Sequence, residues 1–172
     1  MQAPGRHSKR APVARTASGF SLIELLVVVS IILIIAAIAI PNFIRARMLA
    51  NEGAAAQSCR NVTTADVVYS TTYGIGYSTT LARLGPAAGN GPTSFANAAL
   101  IDDVLASGTK SGFQFIYTPT SIDASGNPQG FTLQANPMAP GVTGQRYFYT
   151  DQSGVIRQKI SGPAGPNDQP IS

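Results

Sequence analysis

Glu24 is the residue with the clearest chemistry. It is a lone carboxylate inside FSLIELLVVVSIILIIAAIAI, a run of 21 residues from Phe20 to Ile40 otherwise broken only by Ser21 and Ser30. An ionised, unpaired carboxylate in an apolar medium costs several kcal/mol, so Glu24 calls for a cation, a proton or a place at the headgroups. Pairing with a cation is the chemistry its position offers. Other reactive groups are scarce. Cys59 is the single cysteine and His7, in the basic amino-terminal stretch, the single histidine, so the thiol is expected to be a small core residue rather than a nucleophile with an imidazole base. Patterns such as HExxH, CxxC, GxxxxGK and GxSxG do not occur, and no enzymatic activity, cofactor or metal site is read from the chain. Asp151 and Asp168 are candidate oxygen ligands, but Asp151-Gln152-Ser153-Gly154 is more simply a turn.

The element that must position Glu24 is a helix. Twenty-one residues at 1.5 Å each reach roughly 31 Å, the thickness of the hydrocarbon core of a bilayer. An ordinary secretory signal is disfavoured, because the run is long and is followed by PNFIRARMLA rather than by a small-x-small cleavage site. Arg6, Lys9, Arg10 and Arg15 precede the run, against Arg45 and Arg47 after it, which puts the amino end in the cytoplasm. Arg45 and Arg47 are read as the polar stop beyond the span, with Glu52 as an acid that such arginines on a neighbouring copy could meet. The 153 residues after Gly19 hold eight basic and eight acidic side chains, so nucleic acid is not an expected partner despite a pI near 9.5. With one cysteine, an intrachain disulfide is excluded.

The string Gly19-Phe20-Ser21-Leu22-Ile23-Glu24-Leu25, with a basic leader before it and Ile40-Pro41-Asn42-Phe43 closing the apolar run, resembles the amino terminus of type IV pilins and of the pseudopilins of type II secretion. The resemblance implies that a leader, residues 1–19, is cut between Gly19 and Phe20 by a prepilin peptidase that also N-methylates Phe20. It implies that Glu24 pairs with the new amino group of Phe20 on a neighbouring subunit. A helical homo-oligomeric filament follows, built from the inner membrane by an assembly platform and its ATPase. The leading expectation is a major pilin of a surface filament. The alternatives are a pseudopilin of a periplasmic pseudopilus and a single-span anchor for a ligand- or DNA-binding module. Phe113 to Arg157 resembles the carboxy-terminal part of minimal, disulfide-free pilins.

The fold class expected is α+β, with a long amino-terminal helix, half membrane-spanning and half amphipathic, packed on a small antiparallel sheet. The helix is read over residues 20–73, with Ile44, Met48, Ala55, Cys59, Val62, Val67 and Tyr69 on one buried face. Pro41 removes one helical hydrogen bond and Gly53 loosens another turn, marking two places to bend. Residues 74–172 contain 14 of the 17 glycines and nine of the 12 prolines, the composition of turns and short strands. Residues 73–91 are read as loop and 94–106 as a short helical turn with Asp102 and Asp103 on its wet side. Three or four strands are expected near 113–118, 131–135, 146–150 and 155–159, the first two ended by Pro119 and Pro137. Asp151 to Gly154 turns between the last two. The aromatics Tyr117, Tyr147, Phe148 and Tyr149 are assigned to sheet packing rather than to base stacking.

Overall fold

A computed structural model describes residues 19–89 and 91–171. The leader expected over residues 1–19 lies, but for Gly19, outside the described residues. The chain forms two compact units, Met1–Ile40 and Pro41–Ser172. Helix α1, Leu22–Tyr73, is unbroken through Pro41 and Gly53. In the first unit it is the only element described.

The second unit is built around the outer part of α1. Its buried positions, Glu52, Ala55, Ala56, Ser58, Cys59, Val62, Ala65, Asp66 and Tyr69, recur every three to four residues, as a single packed face requires. Most of these side chains are small, which lets the helix backbone come close to the sheet. Ile44 and Val67, placed on that face from their apolar character, are 45% and 46% exposed. The stripe begins only at Glu52, where the head first covers the helix, and between buried Asp66 and Tyr69 the turn carries Val67 outward.

After α1 come two single-turn helices, α2 (Leu81–Leu84) and α3 (Asp103–Ala106). The first corrects the loop expected over 73–91: Leu81 and Leu84, three apart, are both buried, but one turn is too short to show a period. The second is much shorter than the 94–106 segment. Asp102 caps it, its side chain accepting from the Leu105 amide at 2.9 Å, and Asp102 and Asp103 are exposed as expected.

Six strands follow: β1 (Thr109–Lys110), β2 (Phe113–Ile122), β3 (Pro128–Pro137), β4 (Tyr147–Asp151), β5 (Arg157–Lys159) and β6 (Gln169–Pro170). They form one antiparallel meander in sequence order. Phe113, Phe115, Phe131, Leu133, Ala135 and Phe148 pack into one core with Cys59, Val62 and Tyr69 of α1.

Proline ended one of the two strands: β3 stops on Pro137 itself, whereas β2 continues through Pro119 to Ile122. Pro119 pairs with Phe131 in the middle of the β2–β3 ladder. Phe115, four residues earlier and on the same side of the pleat, points its N–H away from β3 to the Gly108 carbonyl at 2.8 Å, so the missing N–H of Pro119 falls on the same outer edge. There β1 reaches only as far as Gln114, and no ladder bond is lost. Pro137 likewise lies beyond Ala135, where β4 stops pairing. Strand β4 begins at Tyr147 rather than Arg146, and β5 begins at Arg157 because Val155 and Ile156 belong to the connection, Ile156 being buried. The two extra strands, β1 and β6, have two residues each, below the length at which alternation is visible.

Candidate assembly surface

In the first unit nearly every side chain of α1 is exposed, from Leu22 at 80% to Ile34 at 64% and Ile40 at 58%. At roughly 25 cal/mol per Å² of apolar surface, such a face is stable only in lipid or against other apolar helices. Its length and composition suffice to cross a membrane. Ser30 does not spoil it, because its hydroxyl donates to the Leu26 carbonyl at 2.7 Å. Gly19 and Phe20 precede the helix, Phe20 being 75% exposed, and Glu24 lies in the first turn. Neither of the two ion pairs among the described residues involves Glu24.

A second carboxylate of α1 does have a partner, one within its own chain that the sequence reading did not foresee. Glu52 is 4% exposed. Its Oε1 accepts from the amides of Gln145 at 2.7 Å and Arg146 at 3.1 Å, and its Oε2 from Arg146 Nε at 2.7 Å. Arg146 also donates from Nη1 to Gln158 Oε1 at 3.1 Å, and Asn51 Nδ2 donates to the Thr143 carbonyl at 3.1 Å. Burial alone pushes the Glu52 carboxyl up, but the two amides and the Arg146 guanidinium together hold it below its ordinary value. Glycine is needed at 144, where a Cβ would stand 2.6 Å from Phe113 Cζ and 3.3 Å from Glu52 Cγ. This cluster fastens the segment before β4 to α1. Glu52 is therefore already paired and is not the acid left over for Arg45 or Arg47 of a neighbour.

Asp66 forms a third polar site, also unforeseen. Its Oδ1 accepts the Ser78 amide at 2.9 Å, and Tyr117 Oη donates to the Ser78 carbonyl at 3.0 Å. Asp66 Oδ2 and Ser78 Oγ have no hydrogen-bond partner. Burial raises the Asp66 carboxyl above its ordinary value, against the opposing hydrogen bond from the Ser78 amide. No pattern of apolar residues could have revealed this site or the Glu52 cluster, since in both the signal is a polar residue within a buried stripe.

Cys59 is fully buried and its thiol is pushed up to about 12 by burial, consistent with a core residue. Asp151 closes a turn, its carbonyl accepting the Gly154 amide at 3.0 Å and its Oδ1 the Ser153 amide at 2.9 Å, with Gly154 at φ +75°. Asp168 Oδ2 accepts the Gly165 amide at 2.8 Å. No group of three or more His, Cys, Asp or Glu side chains comes together among the described residues. Gly53 lies on the exposed side of α1, with open space where a Cβ would be.

The family described as the prokaryotic N-terminal methylation motif matches residues 14–40. The chain carries that motif. The motif takes in Gly19, Phe20, Glu24 and the exposed apolar helix. The chain is also 58% identical over 38 residues to the type IV wide pilus major component PilA4 of Thermus thermophilus. That match covers 22% of this chain and 29% of the other protein, so the chain spans less than a third of the relative's length. No solved structure matches the chain.

Proposed function

We propose that the protein is a structural subunit of a type IV pilus, made as an inner-membrane precursor and assembled into a surface filament. The observation that carries this reading is the methylation motif lying across an apolar helix that nothing in its own unit covers. Cleavage between Gly19 and Phe20 creates an ammonium four residues before Glu24, and the carboxylate compensates that charge on a neighbouring copy as both leave the bilayer. Helices of many copies then replace lipid as the cover of Leu22–Ile40. Pro41 and Gly53 are the positions at which α1 yields to fit its neighbours. The subunit is structural, and the energy for assembly comes from a cytoplasmic ATPase.

Mass spectrometry of the amino-terminal peptide in filaments sheared from the cell surface tests this reading. A methylated peptide beginning at Phe20, abundant in that fraction, is the expected result. The processed form confined to the envelope would favour a secretion pseudopilus, and an intact leader would return the chain to a membrane-anchored module.

A further inference from the structure

The head is not electrostatically even, although the chain after residue 19 is neutral. Three adjoining grooves of the second unit, the largest about 550 Å³, share Ile160, a side chain 74% exposed. Arg45, Met48, Leu49 and Arg146 line the first, and Arg146 and Lys159 the third. The acids there are already engaged. Glu52 is held by Arg146 and two amides, and Asp168 accepts from the Gly165 amide. Neither ion pair among the described residues involves Arg45 or Lys159. An apolar knob, with exposed Leu49 nearby, is thus flanked by Arg45 and Lys159, the two cations of these grooves that neither ion pair takes up.

Arg45 follows Ile40 by five residues, about 7.5 Å of helix and at most about 17 Å of chain in any conformation. The headgroup layer beyond the hydrocarbon core is roughly 5–7 Å deep on each side. With the span in a bilayer, Arg45 stays near the headgroups, and Ile160 and Lys159 belong to the same surface. We propose that this face docks on the anionic phospholipid headgroups of the bilayer that holds the precursor, with Arg45 and Lys159 meeting phosphates while Ile160 and Leu49 enter the interface. This rests on the membrane-anchored state argued above. The head of a second copy offers a poorer complement, because the acids at its surface already accept hydrogen bonds at home, Asp102 from Lys110 and the Leu105 amide, Asp103 from the Val104 amide, and Asp123 from the Ser125 and Asn127 amides and Gln129, while exposed Glu24 lies in the apolar span. The docked head is released when the subunit leaves the membrane.

The test uses the full chain with Ile160→Cys carrying an environment-sensitive dye, inserted in nanodiscs of phosphatidylcholine with or without phosphatidylglycerol, one copy per disc. Quenching by lipid spin-labelled at the headgroup is expected in anionic discs, and a dye at Ser125→Cys, in the β2–β3 turn, should show none. Arg45→Gln and Lys159→Gln should each weaken docking about fivefold, and high salt should weaken it further. Equal quenching in neutral and anionic discs, indifferent to both substitutions, overturns the proposal. Quenching only in discs holding two copies also overturns it and makes a second copy the occupant. A chain that never enters the discs overturns the membrane reading itself, and the docking proposal with it.

Discussion

Two buried carboxylates of one helix titrate in opposite senses because their surroundings differ. Glu52 is held down by two amides and a guanidinium, so its contribution to stability is present above its ordinary value of 4.5 and is lost as pH falls through its lower folded value. Glu52→Gln should therefore destabilise the head by about 2 kcal/mol at neutral pH, the worth of hydrogen bonds to a charged group. The difference from the unsubstituted chain should shrink in acid. Asp66 has the reverse sign. With its folded pKa raised above the ordinary 3.8, the stability it allows is complete below that value and declines as pH rises toward the folded value. Asp66→Asn should remove that decline and raise stability at neutral pH by about 1 kcal/mol. Denaturant unfolding of the detergent-solubilised chain, followed by tyrosine fluorescence since tryptophan is absent, checks both. An Asp66→Asn protein less stable than its parent at pH 7 would refute the assignment. Glu24 was legible because a charge in an apolar run is anomalous by itself. Glu52 and Asp66 were not, because in a polar stretch of helix an acid is ordinary until its surroundings are known.

Along α1, hydroxyl side chains are absorbed by the helix itself. Ser58 Oγ donates to the Ala54 carbonyl at 2.8 Å and Thr63 Oγ1 to the Cys59 carbonyl at 3.0 Å. Cys59→Ser can make the same i−4 bond, so it should cost about 1 kcal/mol or less and leave filament yield near normal. A loss of filaments would show that Cys59 does more than fill space. Gly144→Ala should cost more, about 1–3 kcal/mol, because the ring of Phe113 leaves no room for a methyl group. The same unfolding assay reads it, and an unchanged midpoint would contradict the close approach. The positions of β2 through β5 were readable from aromatic and β-branched runs separated by turn residues. Their ends were not, because whether a proline stops a strand depends on which edge its missing N–H faces, as Pro119 illustrates.

For the whole molecule, the decisive features are the apolar helix and the cut proposed before it. Gly19→Leu should leave the full-length precursor in the membrane fraction, seen as an unshifted mass, whereas normal processing would refute the cleavage site. Glu24→Ala should be cleaved normally yet give few filaments by electron microscopy, and abundant filaments would refute its pairing role. The sequence by itself determined the membrane-length helix, the anomalous carboxylate, the burial of Cys59 and the antiparallel class of the head, because hydropathy, periodicity and turn chemistry are carried by neighbouring residues. Only the tertiary structure decided that Glu52 serves Arg146 across 94 positions, that Asp66 and Tyr117 both meet the backbone of Ser78, and that two-residue strands extend the sheet. Those arrangements depend on which distant groups the packing brings within 3 Å, and a spacing along the chain does not encode that.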